Sequence, residues 1–454
     1  MRTYKLILIA FSIFFSKQCI AQLPVGSTTL DTTVLANNLS TPWDMVYTNS
    51  DTSLWFTERI GKVTRIDLNT NQVRLVLDLQ DTVEQFGEGG LLGMEIIETT
   101  AIPKVFLVYN YRTSNRTLFE RLVRFDYDPN QDSLINETVL LDSIPAAVNH
   151  NGSRLEIVNN QLFMTTGDAA NTSLPQNINS LAGKVLRLEL NGSIPNDNPI
   201  ANSPVYSWGH RNPQGLFFAN GFLYSSEHGP NTDDEINIIE KGGNYGWPDV
   251  KGFCNTSSEI TFCNDSNVVE PLFAWTPTVA TSGICFYDHP AIPAWEGHLL
   301  LTTLKDERVI QLSLNAAKDS ITSTTDFFTN RWGRLRDITS DPEGSVYIAT
   351  NSFPQQIIKL YNATYTSIEE KNTPSEAIRI FPNPTINQLT IEINTSKKLN
   401  YQLNIYDIKG RKVLFQNDLH KTLQLDVNKL PNGIYFVELI NNEGIKKVEK
   451  IIIE

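Results

Sequence analysis

The chain has 454 residues, 19% of them charged and 41% hydrophobic, with a formal net charge of −13. That length exceeds one ordinary core and implies two or three units. So acidic a chain speaks against nucleic acid or an anionic membrane as principal partner, while leaving room for a local basic pocket.

The N-terminus reads MRTYKLILIAFSIFFSKQCIAQ. Arg2 and Lys5 precede an apolar run that closes on the small residue Ala21, the layout of a secretory leader (1–21) cut after Ala21. The run is too short for a comfortable membrane span and no later stretch is long enough, so none is expected. Cys19 is a poor lipidation site, because Ser16, Lys17 and Gln18 precede it. Loss of the leader removes three positive charges (Arg2, Lys5, Lys17) and no acid, which takes the mature chain to −16. In an oxidising compartment Cys254 and Cys263 can bridge, leaving Cys285 a buried thiol; three free thiols are the alternative. No pair of CxxC motifs supports a zinc site.

From Ser53 one pattern recurs: a short apolar-aromatic strand, a turn, and a strand of alternating character. It reads SLWFTERIGKVTRIDL from Ser53, and KVFLVYNY from Lys104 with RLVRFDYD from Arg121. It returns as QLFMTTGD from Gln161 with GKVLRLEL from Gly183, and as GFLYSSEHG from Gly221 with DEINIIEKGG from Asp234. The last two copies are GHLLLTTLKDERVIQLSL from Gly297 and GSVYIATNSFPQQIIKLY from Gly344. Six such units with almost no helical periodicity predict an all-β chain whose residues 22–361 form a six-bladed β-propeller. A stacked β-sandwich would not need the same strand pair six times.

Residues 362–376 are polar and lack a strand pattern, as a linker does. Residues 377–454 then read as a small immunoglobulin-like β-sandwich of six or seven strands. The phrases FPNP (381–384), LNIYDIKGRKV (403–413) and LPNGIYFVEL (430–439) resemble the C-terminal sorting domain of the type IX secretion system, type A. The resemblance implies a partner in that machinery, export through periplasm and outer membrane, and a secreted or cell-surface location. An immunoglobulin-type binding module is the alternative.

Within the repeats, chemistry-bearing residues sit near strand ends. VNHNGSRLEI places His150 in a loop before an apolar strand, and TTGDAAN places Asp168 at a strand end one hairpin later. Together they suit a base and its orienting carboxylate. SWGHRNPQG (207–215) offers Arg211 and two amides on a proline-stiffened turn, suited to a flat polyanion. Lys305 in TLKDERV, with Arg331, Arg334 and Arg336 in NRWGRLRDIT, forms a late basic cluster in an acidic chain. In SSEHGPNTDDEINIIEKGGNYGWP (225–248) three acids follow a Gly-Pro turn, which fits either a solvated loop or a cation site. A propeller gathers such loops over its central channel.

GKVLRLELNGSIPNDNP (183–199), GHRNPQG (209–215) and SEHGPNTDDEINIIEKGGNYGWP (226–248) closely resemble the soluble quinoprotein glucose/sorbosone dehydrogenase family. The likeness runs from about Thr41 to Tyr361. It implies oxidation of an aldose at C1 to the lactone, by hydride transfer to calcium-bound pyrroloquinoline quinone (PQQ), with electrons passing to an acceptor that the sequence leaves unnamed. By the same resemblance His150 is the general base, Asp168 orients it, and Arg211 stabilises the reduced cofactor. Asn212, Gln214, Thr278, Lys305, Arg334 and Arg336 match PQQ-holding positions. The carbonyls of Gly229 and Pro230 match ligands of the cofactor's Ca²⁺. Glu235 and Tyr245 match a second, structural calcium, while Asp233 and Asp234 shape the field or the turn. Glu88, in GEGGLLG (87–93), stands beside the base where the glucose oxidisers carry glutamine. The long insertions of those enzymes are missing, so a wider range of aldoses is expected. Two other readings compete: a non-catalytic carbohydrate- or protein-binding propeller, and a calcium-dependent lactonase-type hydrolase. A pure binder needs no base, and the hydrolase needs carboxylates rather than carbonyls on its metal.

Overall fold

The strand pair that recurs in the sequence forms the middle of a four-stranded antiparallel sheet. In the first repeat Ser53–Glu58 pairs with Lys62–Asp67, and Pro42–Thr48 and Gln72–Asp78 flank them. The computed structural model describes residues 23–100, 102–365, 377–394, 401–419, 422–441 and 446–454. The expected leader (1–21) and the expected linker from 366 to 376 lie outside them. Six such sheets follow one another along the chain. Their innermost strands are Pro42–Thr48, Leu91–Ile97, Gly152–Val158, Pro213–Ala219, Thr281–Tyr287 and Leu335–Ser340, each packed on the next and the last on the first. That closed ring is the six-bladed propeller.

Closure comes from the chain's beginning. Thr28–Ala36 pairs antiparallel with Ile357–Tyr361, so an N-terminal strand completes the last blade, and Leu23–Val25 adds a further strand outside it. Long-range pairing of this kind removes the free edges at which a ring would open. The unit runs to Tyr365, slightly past the expected Tyr361, and the Tyr365 ring meets His289 at 5.4 Å between centroids.

Hydrophobic layers between sheets hold the ring. Trp55, Val63, Leu91, Met94, Leu107 and Phe125 join the first two blades. Phe106, Val108, Leu155, Met164 and Leu186 join the second and third. Middle strands are covered on both faces, and Ser53–Glu58 is buried at every position, whereas the outer strand Gln72–Asp78 is mostly exposed. Each large apolar side chain so covered contributes roughly 1.5–3 kcal/mol.

One acid lies among these layers without a counter-ion. Glu120 of the second blade is fully buried, accepts the Ser153 hydroxyl of the third, and leaves Oε2 without a partner. Burial pushes its pKa from 4.5 to about 8. Between those values the folded state holds a proton that the unfolded chain has lost. Stability therefore falls as pH rises across this window, by up to about 1.4 kcal/mol per unit, and levels off above it. Glu120→Gln keeps the shape without the charge and is expected to flatten the dependence of the urea midpoint on pH between about 5 and 8. An unchanged slope would acquit Glu120.

The fourth blade carries an excursion between Asp234–Ile238 and Phe273–Trp275. It contains the helix Ser257–Ser266, opened by a capping box in which the Glu259 amide donates to Thr256 Oγ1 and the Thr256 amide to Glu259 Oε2. A Cys254–Cys263 disulfide ties the helix to the loop before it, and Cys285 is a buried thiol.

The second unit has seven strands among its described residues. Ala377–Phe381, Gln388–Asn394 and Thr422–Asp426 form one sheet. Lys412–Leu419, Tyr401–Asp407, Gly433–Asn441 and Lys446–Ile453 form the other. Leu389, Ile391, Leu403, Ile405, Val437 and Ile451 fill the core between them, as expected of a small sandwich.

Candidate active site

In each blade the loop entering the innermost strand and the loop leaving the second strand open on the same side. Glu88, His150, Arg211, Thr278, Arg334 and Arg336 lie at the entries, and Asp168, Gly229, Pro230 and Lys305 at the exits. Topology thus gathers these candidates on one mouth of the channel.

At its centre His150 Nδ1 and Asp168 Oδ1 are 2.8 Å apart. Asp168 is only 1% exposed, and it also accepts the Ala170 amide at 2.8 Å and the Trp247 indole Nε1 at 2.9 Å. A carboxylate so placed accepts, so His150 Nδ1 carries the proton and Nε2 keeps its lone pair. The hairpin that brings the two together needs glycine at 167, where a Cβ would sit 1.9 Å from the His150 carbonyl.

Arg211 faces this lone pair, with Nη2 3.1 Å from His150 Nε2 and Nη1 donating to the His228 carbonyl at 3.0 Å. Its Nε is buried without a partner. Burial lowers the Arg211 pKa, against the pull of Asp168, Glu227, Asp234 and Glu88. The turn is anchored by Glu227, whose carboxylate takes the Arg211 and Asn212 amides and meets His210 Nδ1 at 2.9 Å. Asn212 is buried too, and its Oδ1 accepts the Gly152 amide at 3.1 Å while Nδ2 has no partner.

The basic side is built around Arg336. This buried guanidinium donates to Gln214 Oε1 and leaves Nε unpartnered. Burial lowers its pKa to about 9; Glu88 resists, and Arg59, Arg154 and Arg334 add to the depression. His228, half-buried, is pushed down to about 3 by burial first and then by Arg336 and Arg211, so it is neutral. Further out, the exposed Lys305 ammonium donates to Thr278 O at 2.8 Å and lies 3.2 Å from Thr278 Oγ1. Arg334 is exposed at the rim, its amide bonded to Ser352 Oγ. Glu88 is also exposed, and its Oε2 accepts the His150 amide at 3.3 Å. Excess positive charge and orphaned donors on Arg211, Asn212 and Arg336 fit a flat polyanion.

The Gly-Pro turn is shaped by Asp234. Its Oδ1 accepts the Gly229 amide at 2.8 Å, and its Oδ2 the Val279 and Ala280 amides at 2.8 and 2.6 Å. Among the described residues the Gly229 and Pro230 carbonyls accept no hydrogen bond, which leaves them open to a hard cation. Glu235 lies directly opposite Glu227 on the neighbouring strand. Burial pushes Glu235 to about 8, and the Glu227 charge adds to the rise. Two carboxylates so paired favour a cation between the strands. Tyr245 borders the same small pocket as Gly229, Pro230 and Glu235, but its hydroxyl is spent on Ile238 O and the Glu240 amide, leaving its main chain. Among the described residues no three His, Cys, Asp or Glu side chains converge on a metal position.

Glu227, His228, Trp247 and Arg59 carry no individual signal in the sequence. The first three stand inside the quoted SSEHGPN and NYGWP segments, so the signal was the segment rather than the residue. Arg59 donates to the carbonyls of Gly87 and Gly89, flanking Glu88, and nothing local marks it.

The Glucose / Sorbosone dehydrogenase family model matches residues 39–359, and the Secretion system C-terminal sorting domain model matches residues 379–454. Quinoprotein glucose dehydrogenase B of Acinetobacter calcoaceticus is 30% identical over 415 residues, spanning 72% of this chain and 86% of that protein. Aldose sugar dehydrogenase YliI of Escherichia coli (strain K12) is 28% identical over 347 residues, spanning 73% and 93%. Among solved structures, the soluble aldose sugar dehydrogenase of Escherichia coli in its apo-form superposes with a TM-score of 0.66 at 27% identity, over 74% of this chain and 100% of that one. The PQQ-bound form of aldose sugar dehydrogenase from Streptomyces coelicolor gives 0.63 at 27% identity, over 75% and 99%.

Proposed function

This chain belongs to the glucose/sorbosone dehydrogenase family, and we propose that it oxidises the C1 hydroxyl of an aldose to the lactone with PQQ and Ca²⁺ as cofactors. It is an oxidoreductase of the aldose sugar dehydrogenase type, and its C-terminal sorting domain marks it for export by type IX secretion to the cell surface or beyond. Among the described residues no helix is long and apolar enough to cross a membrane.

The observation that carries the reading is the His150–Asp168 pair with the half-satisfied Arg211 on its outer nitrogen. His150 Nε2 is the group that takes the proton of the anomeric hydroxyl, and Asp168 stabilises the imidazolium that results. Arg211, Asn212, Gln214 and Arg336, with Thr278, Lys305 and Arg334 farther out, would hold PQQ through its carboxylates and carbonyls. Gly229 and Pro230 would hold one Ca²⁺, and Glu235 with the Tyr245 main chain a second. PQQ supplies the two-electron acceptor for the C1 hydride, and Ca²⁺ the Lewis acid that polarises it. Arg211 must leave Nε2 for the sugar to approach, and its unpartnered Nε–H is a donor that a carboxylate or carbonyl of the cofactor would satisfy. Glu88 adds a carboxylate beside the base, and we infer that it helps set which aldoses are accepted.

The test adds PQQ and Ca²⁺ to the cofactor-free protein and follows reduction of a dye with a panel of aldoses. Quinone-dependent reduction with lactone formation is expected. Tight sugar or protein binding without reduction would replace the enzyme by a binding propeller, and lactone hydrolysis without quinone by a hydrolase.

A further inference from the structure

We propose that Trp247, held by Gln176 and Asn244, is the positioning residue that aims the Asp168 carboxylate at His150. The proposal rests on the reading of His150 as base.

Asp168 has two oxygens with different tasks. Oδ1 serves His150 and the Ala170 amide, while Oδ2 accepts the Trp247 indole N–H at 2.9 Å. Without that donor Oδ2 would be a carboxylate oxygen in a buried site with no direct partner, free to exchange places with Oδ1 by rotation of the side chain. The same indole lies 5.3 Å from the Arg211 guanidinium carbon. One aromatic ring thus bears on both groups that meet at His150.

Trp247 is itself fixed from behind. Its amide donates to Gly209 O at 3.0 Å, and its carbonyl accepts Gln176 Nε2 at 2.9 Å. Gln176 and Asn244 form a reciprocal amide pair, Nε2 to Oδ1 at 2.9 Å and Nδ2 to Oε1 at 3.0 Å. Gly209 packs against that pair: a Cβ there would lie 2.4 Å from Asn244 Oδ1 and 2.8 Å from Gln176 Nε2, and the residue has φ +76°. This glycine therefore makes room for the clamp, not for a ligand. The loop that carries Gln176 is pinned in turn by Lys184, whose buried ammonium donates to the carbonyls of Leu174, Pro175 and Ala182 at 3.0, 2.8 and 2.7 Å. Segments far apart in sequence thereby converge on one hydrogen bond to Asp168.

The test uses two variants of the full chain. Trp247→Phe keeps a ring beside Arg211 and removes only the donor; Gln176→Leu loosens the clamp without touching Asp168. Loaded with PQQ and Ca²⁺, Trp247→Phe is expected to lose roughly 10- to 100-fold in kcat, the scale of one hydrogen bond to a charged group, with KM and PQQ affinity within about twofold. Gln176→Leu should move the same way by less. In the cofactor-free protein, the indole resonance missing from Trp247→Phe should be downfield and slow to exchange, and should lose both traits in Gln176→Leu. An unchanged kcat in Trp247→Phe overturns the proposal and leaves the dehydrogenase reading intact. An indole that exchanges as fast as an exposed one overturns it whether or not the parent turns over sugar. Should no aldose be oxidised by the parent, the dehydrogenase reading fails first, and the role assigned to Trp247 falls with it.

Discussion

His150→Ala is expected to bind PQQ about as well as the parent and to turn over roughly a thousandfold more slowly, within the range that a positioned general base contributes. The fold should tolerate the change. His150 sits in a loop with a partly open side chain, and its neighbours keep other partners when it goes. Asp168 retains the Trp247 indole and the Ala170 amide, and Arg211 retains the His228 carbonyl. Cofactor affinity should survive because the orphaned donors on Arg211, Asn212 and Arg336 are untouched. Steady-state dye reduction, read beside a PQQ titration, separates the two effects. Full activity would remove His150 from the chemistry, and lost cofactor binding would make it a structural residue.

Much of the propeller was legible because the middle strands of each blade are covered on both faces. SLWF and KVFLV are continuous apolar runs for that reason, and their pairing is local. Outer strands carried little signal. Gln72–Asp78 and Ile321–Phe327 are mostly exposed, and polar residues at the rim of a sheet look like loop. Nor could the closing strand be read, since the pairing of Thr28–Ala36 with Ile357–Tyr361 joins the ends of the unit and leaves no trace in either segment alone.

The site divides in the same way. His150, Asp168 and Arg211 stand in turns whose glycines and prolines announce them, and the structure brings the three side chains together. Glu235 and Tyr245, which the family resemblance assigns to one calcium, share a pocket, though the Tyr245 hydroxyl faces its own loop. Glu227 and Trp247 were illegible as individuals. Each acts by filling the hydrogen-bonding capacity of a group elsewhere in the chain, and burial of that kind is a property of the folded ring. Arg154 is the extreme case: four positions from His150, within SRLEI, nothing hints that it reaches Asp44 and Asp337.

Replacing Arg154 by Met is expected to destabilise the protein by about 3–5 kcal/mol at neutral pH, as loss of one partner from a buried ionic cluster does. Its Nη1 meets Asp44 of the first blade and, at 3.0 Å, Asp337 of the sixth; its Nε donates to Gln214 O of the fourth at 3.0 Å. Asp44 Oδ2 goes on to accept the Met94 amide of the second blade at 2.9 Å, and Asp337 Oδ2 the Met45 amide of the first at 2.7 Å. A single side chain thus ties the ring across the channel, under the Gln214–Arg336 floor of the active mouth. Burial already pushes Asp337 up to about 8, against the pull of Arg154, and raises Asp44 in the same way. Without the guanidinium both carboxyls rise further, because the cation that opposed the rise is gone. A raised acid keeps its stabilising proton at low pH and loses it as pH climbs through the folded value. Parent and variant both hold the Asp337 proton well below pH 8, so the deficit of Arg154→Met should be smallest near pH 5 and should grow as pH rises through about 8, where the parent's loss levels off and the variant's continues. Urea midpoints across that range decide between charge and shape: a deficit independent of pH would assign the loss to the guanidinium's packing 4.4 Å over Trp43 instead.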